Sequence, residues 1–159
     1  MALRISEREL AALTRKPTNE KPAHQKKARP IPTEHQEQVA VINWARVHEF
    51  KWPELKLLHA VPNGGLRRAT TNAKGKRYSL EAQRLRNEGV SPGLPDLDLP
   101  VARRGFHGLR IEMKALDGRA SKDQRWWIEQ LSQQGYLAVV KFGAEAAIKC
   151  LEWYLTANE

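Results

Sequence analysis

Cysteine, acidic residues and long hydrophobic runs are all scarce in this chain, and each scarcity closes off a class of protein. The one cysteine, Cys150, has no partner for an internal disulfide and excludes cysteine-based zinc modules. In an apolar stretch with helical spacing it reads as a small core side chain rather than a reactive thiol. No apolar run approaches the roughly 20 residues of a membrane-spanning helix. The opening Met-Ala-Leu-Arg-Ile-Ser-Glu lacks the continuous hydrophobic stretch of an export signal, so a soluble, cytoplasmic protein is expected. Asp and Glu number 18 against 27 Lys and Arg, a net charge of +9 over 159 residues. So basic a small chain commonly partners a polyanion.

What is present is unevenly placed. Between residues 64 and 90 stand Arg67, Arg68, Lys74, Lys76, Arg77, Arg84 and Arg86 against only Glu81 and Glu88. Beyond residue 125 the balance reverses, with Lys141 and Lys149 against Glu129, Glu145, Glu152 and Glu159. A localised excess favours a binding surface over general solubility.

The length allows one domain with a real core. Residues 1–31 mix basic residues with Pro17, Pro22 and Pro30 and little apolar period, which reads as a flexible basic arm. Residues 32–159 form the ordered unit. Thr33 and Gln36 have capping-box spacing and open a helix to about Glu49, with Val41, Trp44 and Ala45 on one face and Glu34 and Glu37 on or beside it. Leu55 to Val61 reads as a buried strand stopped by Pro62-Asn63-Gly64-Gly65. A short helix follows over about Ser79 to Glu88 with Gly89 as its cap. The turn Pro92 to Pro95 then leads into a strand at Asp96 to Val101, and the chain returns as Leu109 to Ala115. Ser121 and Gln124 open a helix to Gln134, Tyr136 to Phe142 is a buried strand, and Ala144 to Leu155 is a closing helix. This order implies an α/β domain with a mixed sheet flanked by helices.

The chemistry lies on the two paired strands. Alternation puts Leu97 and Leu99 on one face and Asp96 and Asp98 on the other; Leu109, Ile111 and Met113 likewise oppose Arg110, Glu112 and Lys114. With the hairpin centred near Arg104, Asp96 faces Glu112 across the strands, their β-carbons roughly 5 Å apart. A centre one residue later would bring Asp98 there instead. Two carboxylates that close need a cation between them, and Mg²⁺ suits a site with one or two carboxylates plus water and phosphate. Lys114, further along the same face, is placed to orient or activate the attacking water. Alternation alone favours a wet sheet face with a charge ladder. The proline-rich entrance, the basic loop, and helices offering Glu37 and Gln124 favour the site.

Pro95-Asp96 followed by Glu112-Met-Lys114 resembles the PD-(D/E)-x-K nuclease signature. With Pro62-Asn63-Gly64-Gly65, Gly93-Leu94-Pro95-Asp96, Ser121-Lys-Asp-Gln124 and Gly135-Tyr136, the pattern over about residues 33–156 resembles the VRR-Nuc family, including its stand-alone phage members. The resemblance implies a restriction-endonuclease-like fold and Mg²⁺-dependent, structure-specific DNA cleavage, with Mn²⁺ able to substitute. It further implies a four-way (Holliday) junction substrate and a homodimer. It assigns Asp96, Glu112 and the Met113 carbonyl to the metal, Lys114 to catalysis, Gln124 to support of the site, and the first-helix glutamate to Glu37 in preference to Glu34. Asn63, Arg67, Arg68, Lys74, Lys76, Arg77, Arg103 and Arg104 are the expected DNA contacts. His35, His59 and His107 lack ligand spacing. Of Trp126 and Trp127, one is expected in the core and one half-exposed. The competing function is a basic nucleic-acid-binding or assembly protein without chemistry, and composition does not separate DNA from RNA.

Overall fold

The computed structural model describes residues 30–62, 70–71, 77–78 and 80–156. The first helix, α1 (Glu34–His48), starts where the capping box predicts: the Thr33 hydroxyl accepts the Gln36 N–H at 3.2 Å, and Gln36 Oε1 accepts the Thr33 N–H at 2.9 Å. Val41 and Ala45 bury on its inner face, with Trp44 packed partly against the core.

The expected strand from Leu55 to Val61 is a correction. Pro53 opens a 3₁₀ turn, Pro53–Leu57, because its fixed φ suits the first helical position. The three-residue repeat of that turn carries Leu55 and Leu58 toward the core and leaves Leu57 exposed. Only β1 (His59–Ala60) remains extended. A separate two-stranded ribbon pairs β2 (Thr70–Thr71) with β3 (Arg77–Tyr78). It leads to α2 (Leu80–Asn87), which ends with Gly89 at φ +90° and the Val90 N–H returning to the Leu85 carbonyl.

The main sheet contains β4 (Leu97–Leu99), β5 (Leu109–Lys114) and β6 (Leu137–Phe142) in the order β1-β4-β5-β6. Neighbours are antiparallel except β5 and β6, which run parallel. That parallel pair requires a crossover, supplied by α3 (Lys122–Gln133); α4 (Ala144–Leu155) closes the chain. Leu97, Leu99, Leu109, Ile111, Met113, Leu137 and Val139 line one sheet face and are at most 1% exposed. Val41 and Ala45 of α1, with Ala147, Cys150, Leu151 and Tyr154 of α4, pack into the same core. Cys150 is therefore the core side chain expected of it. The expected α/β architecture, a mixed sheet flanked by helices, is the one observed.

Candidate active site

The register of β4 and β5 fixes the polar face. Leu97 pairs with Ile111, Asp98 with Arg110 and Leu99 with Leu109, so the hairpin is centred on residue 104 and Asp96 lies next in register with Glu112. Asp98, on the same face, thereby lies opposite Arg110 rather than Glu112. Its carboxylate instead pairs with the Arg110 guanidinium, with His59 Nε2 3.7 Å away on the neighbouring strand. Asp96 is held twice: its carbonyl accepts the Val61 N–H at 2.8 Å, and its Oδ2 accepts the Met113 N–H at 2.9 Å.

This face is not wet where the chemistry lies. Glu112 is 0% and Lys114 3% exposed, because helices cover them from two directions. From α3, Gln124 Nε2 donates to Glu112 Oε1 while its own Oε1 accepts the Ser121 N–H at 2.7 Å, so its capping and site roles coexist. From the start of α1, Glu34 reaches over the end of β5. Lys114 Nζ donates to Glu112 Oε1 at 2.7 Å, the Met113 carbonyl at 2.9 Å and Glu34 Oε2 at 3.3 Å.

The electrostatics follow from that burial. Loss of water pushes Glu112 up from 4.5 to about 7; the Lys114 hydrogen bond opposes the shift, while the charges of Asp96 and Glu34 add to it. Burial pushes Lys114 down, but its bond to Glu112 and the nearby carboxylates outweigh this, and its net shift is upward. Lys114 is thus an ammonium shared among several acceptors. Glu112 Oε2 is buried without a hydrogen-bond partner, a costly state for a carboxylate oxygen. Among the described residues no group of three or more His, Cys, Asp or Glu gathers as a metal cluster. The donors at hand are the Asp96 and Glu112 carboxylates and the Met113 carbonyl, an all-oxygen set that fits a hard divalent ion retaining several waters.

Other expected residues fall elsewhere. Glu37, preferred from the sequence as the site glutamate, accepts the Ala144 N–H at 2.6 Å and caps α4, whose own N-cap is glycine. Glu34 is the glutamate that meets Lys114. Arg103 and Arg104, expected at DNA, sit in the β4–β5 turn at the opposite end of β5 from Lys114. Arg103 pairs with Glu54, and Arg104 Nε donates to the Trp153 carbonyl with its guanidinium 3.9 Å over that indole ring. Asn63, Arg67, Arg68, Lys74 and Lys76 lie outside the described residues; Arg77 is on β3. Neither α3 tryptophan enters the core: Trp126 is 53% exposed and Trp127 half-buried. Sequence reasoning missed the His59–Asp98–Arg110 row, which becomes visible only once β1 is known to pair with β4.

Fold, site and comparison agree on a class, an α/β nuclease domain. The family is that of the VRR-NUC domain, whose profile matches residues 25–144, and the chain belongs to it. A solved structure titled VRR_NUC domain protein is 30% identical, with a TM-score of 0.64 over 81% of this chain and 93% of the other. No curated protein matches.

Proposed function

We propose that this VRR-NUC domain is a divalent-metal-dependent endodeoxyribonuclease that hydrolyses phosphodiester bonds in branched DNA, four-way junctions among them, and acts as a homodimer. The observation that carries the reading is the orphaned, buried Glu112 Oε2 beside Asp96, while Glu112 Oε1 is bonded by the Lys114 ammonium. The charges of Asp96 and Glu34 oppose ionisation of Glu112, a repulsion that a divalent ion would offset. Asp96, Glu112 and the Met113 carbonyl would hold Mg²⁺ or Mn²⁺, which when bound polarises the phosphate and makes water a better nucleophile.

The chain's own groups do the rest. Gln124 fixes the rotamer of Glu112 by bonding its Oε1, which leaves Oε2 as the oxygen that would be available to hold an ion. The Met113 N–H orients Asp96. Lys114, already bound to Glu112 Oε1, is placed to hold the attacking water and to stabilise charge developing on phosphoryl oxygens. Pairing by Glu34 restrains that ammonium and keeps it within the site.

The net charge of +9 supplies the phosphate-attracting field. A homodimer suits a two-fold junction, and α1 with its exit offers exposed Val39, Val47 and Phe50, spaced eight and three residues apart. No helix of the described residues is long and apolar enough to cross a membrane; action in the cytoplasm belongs to the proposal. The decisive experiment incubates purified protein with Mg²⁺ or Mn²⁺ and duplex, flap, splayed and four-way DNA. Metal-dependent cleavage, strongest on the four-way substrate, is expected. Binding to all of these with no nicking of any would establish the non-catalytic alternative.

A further inference from the structure

We propose that Trp127 is a positioning residue of this site, tying the turn that delivers Asp96 to the same stretch of α3 that holds Glu112. The inference rests on the reading of Asp96 and Glu112 as the metal-holding pair. Trp127 Nε1–H donates to the Pro92 carbonyl at 3.0 Å, a contact between residues 35 apart in the chain. Beside it the turn rests directly on the helix backbone. Gly93 has φ +86°, and a β-carbon there would stand 2.8 Å from the Asp123 carbonyl carbon and 2.9 Å from the Gln124 nitrogen. Three residues later the chain presents Asp96.

The link from Pro92 to Asp96 is stiff. Pro92 and Pro95 have fixed φ angles, and Pro95 is fully buried, so a displacement at Pro92 is passed on rather than absorbed. The partner carboxylate hangs from the same helix through Gln124. One face of α3 therefore sets both members of the pair. Trp127 is half-buried and contributes more than bulk, since its indole N–H is the donor the turn requires; Trp126, edge-on at 5.2 Å, braces the ring.

The test is Trp127→Phe, which keeps an aromatic ring and loses the donor, in the full-length protein. In the metal-free state the Met113 amide, whose acceptor is Asp96 Oδ2, should exchange with deuterium about tenfold faster, while the Leu109 amide of the same strand is unchanged. The Mn²⁺ midpoint for thermal stabilisation should rise about tenfold, and kcat should fall about tenfold with KM for DNA constant. Met113 exchange and a Mn²⁺ midpoint both within twofold of wild type would overturn the proposal. Should Trp127→Phe not fold, Gly93→Ala lifts the turn off α3 by another route and must give the same selective loss at Met113; intact protection there overturns the proposal as well. A wild-type protein that neither binds Mn²⁺ nor cleaves DNA would overturn the metal-site reading itself. That outcome is distinct from an active wild type with an indifferent Trp127→Phe.

Discussion

Gln124 divides its amide between a helix cap and a buried carboxylate: Oε1 accepts the Ser121 N–H and Nε2 donates to Glu112 Oε1. The two functions separate by mutation. Gln124→Glu keeps the capping acceptor but replaces the donor to Glu112 with a second anion, so cleavage should fall about 10–100-fold while the cap persists. Gln124→Ala should lose the same activity and a further roughly 1 kcal/mol of stability with the cap. Urea denaturation beside cleavage assays measures both; wild-type cleavage by Gln124→Glu would remove Gln124 from the site.

Much of this was legible because it is local or periodic. Thr33 with Gln36 and Ser121 with Gln124 announced two helix starts through spacing alone. Period-two alternation with hairpin symmetry placed Asp96 against Glu112, and the observed centre at residue 104 settled Asp98 on Arg110. The failures are tertiary. Leu55 to Leu58 has strand-like composition, but Pro53 and the pull of the core on Leu55 and Leu58 wind it into a 3₁₀ turn. Glu34 and Glu37 are a single turn apart on α1, and only the location of the β5 end and the uncapped α4 decides between them. The roles of Arg103 and Arg104 depended on Glu54 and Trp153, each about 50 residues distant, which no short-range pattern reveals.

Glu112 should make the metal-free protein less stable as pH rises. Its folded-state pKa of about 7 lies above the ordinary 4.5, so between those values the folded protein holds a proton that the unfolded chain has released. Stability from this group is complete below about pH 4.5 and declines through pH 7, by up to about 3 kcal/mol. Glu112→Gln abolishes cleavage yet should melt higher than wild type at pH 8.5 and within a degree or so of it at pH 4.5. Added Mn²⁺ should narrow the gap at pH 8.5 by stabilising wild type alone. Equal melting of the two metal-free proteins at both pH values would contradict a buried, strained carboxylate.

Lys114→Ala should reduce cleavage at least 100-fold with DNA affinity nearly unchanged, since the ammonium is 3% exposed and bonded inward. The two α1 glutamates should then part company. Glu34→Gln loosens Lys114 and should lower kcat several-fold with little change in melting. Glu37→Gln weakens the charge-assisted cap on Ala144 and should cost roughly 1 kcal/mol of stability with kcat preserved. Thermal melts and single-turnover cleavage of the pair check this, and the reverse pattern would return the site role to Glu37.

Asp96 and Asp98 offer the sharpest contrast, because they are two residues apart on one sheet face and differ only in their partners. Asp96 faces Glu112 and accepts the Met113 N–H, whereas Asp98 is taken up by Arg110 and flanked by His59. A saturating divalent ion, at about 100 times its dissociation constant, should stabilise the wild-type protein by about 2.7 kcal/mol. Asp96→Asn should abolish that increment and cleavage together, since its amide is a poor partner for a hard cation. Asp98→Asn should retain the whole metal increment and lose stability through an Arg110 left short of its counter-ion on a partly buried face. Mn²⁺ titrations followed by thermal melting separate the two variants without any DNA present. If Asp98→Asn lost the increment and Asp96→Asn kept it, the ion would belong one step along β4, opposite Arg110 rather than Glu112, where the positive guanidinium makes such binding physically unfavourable.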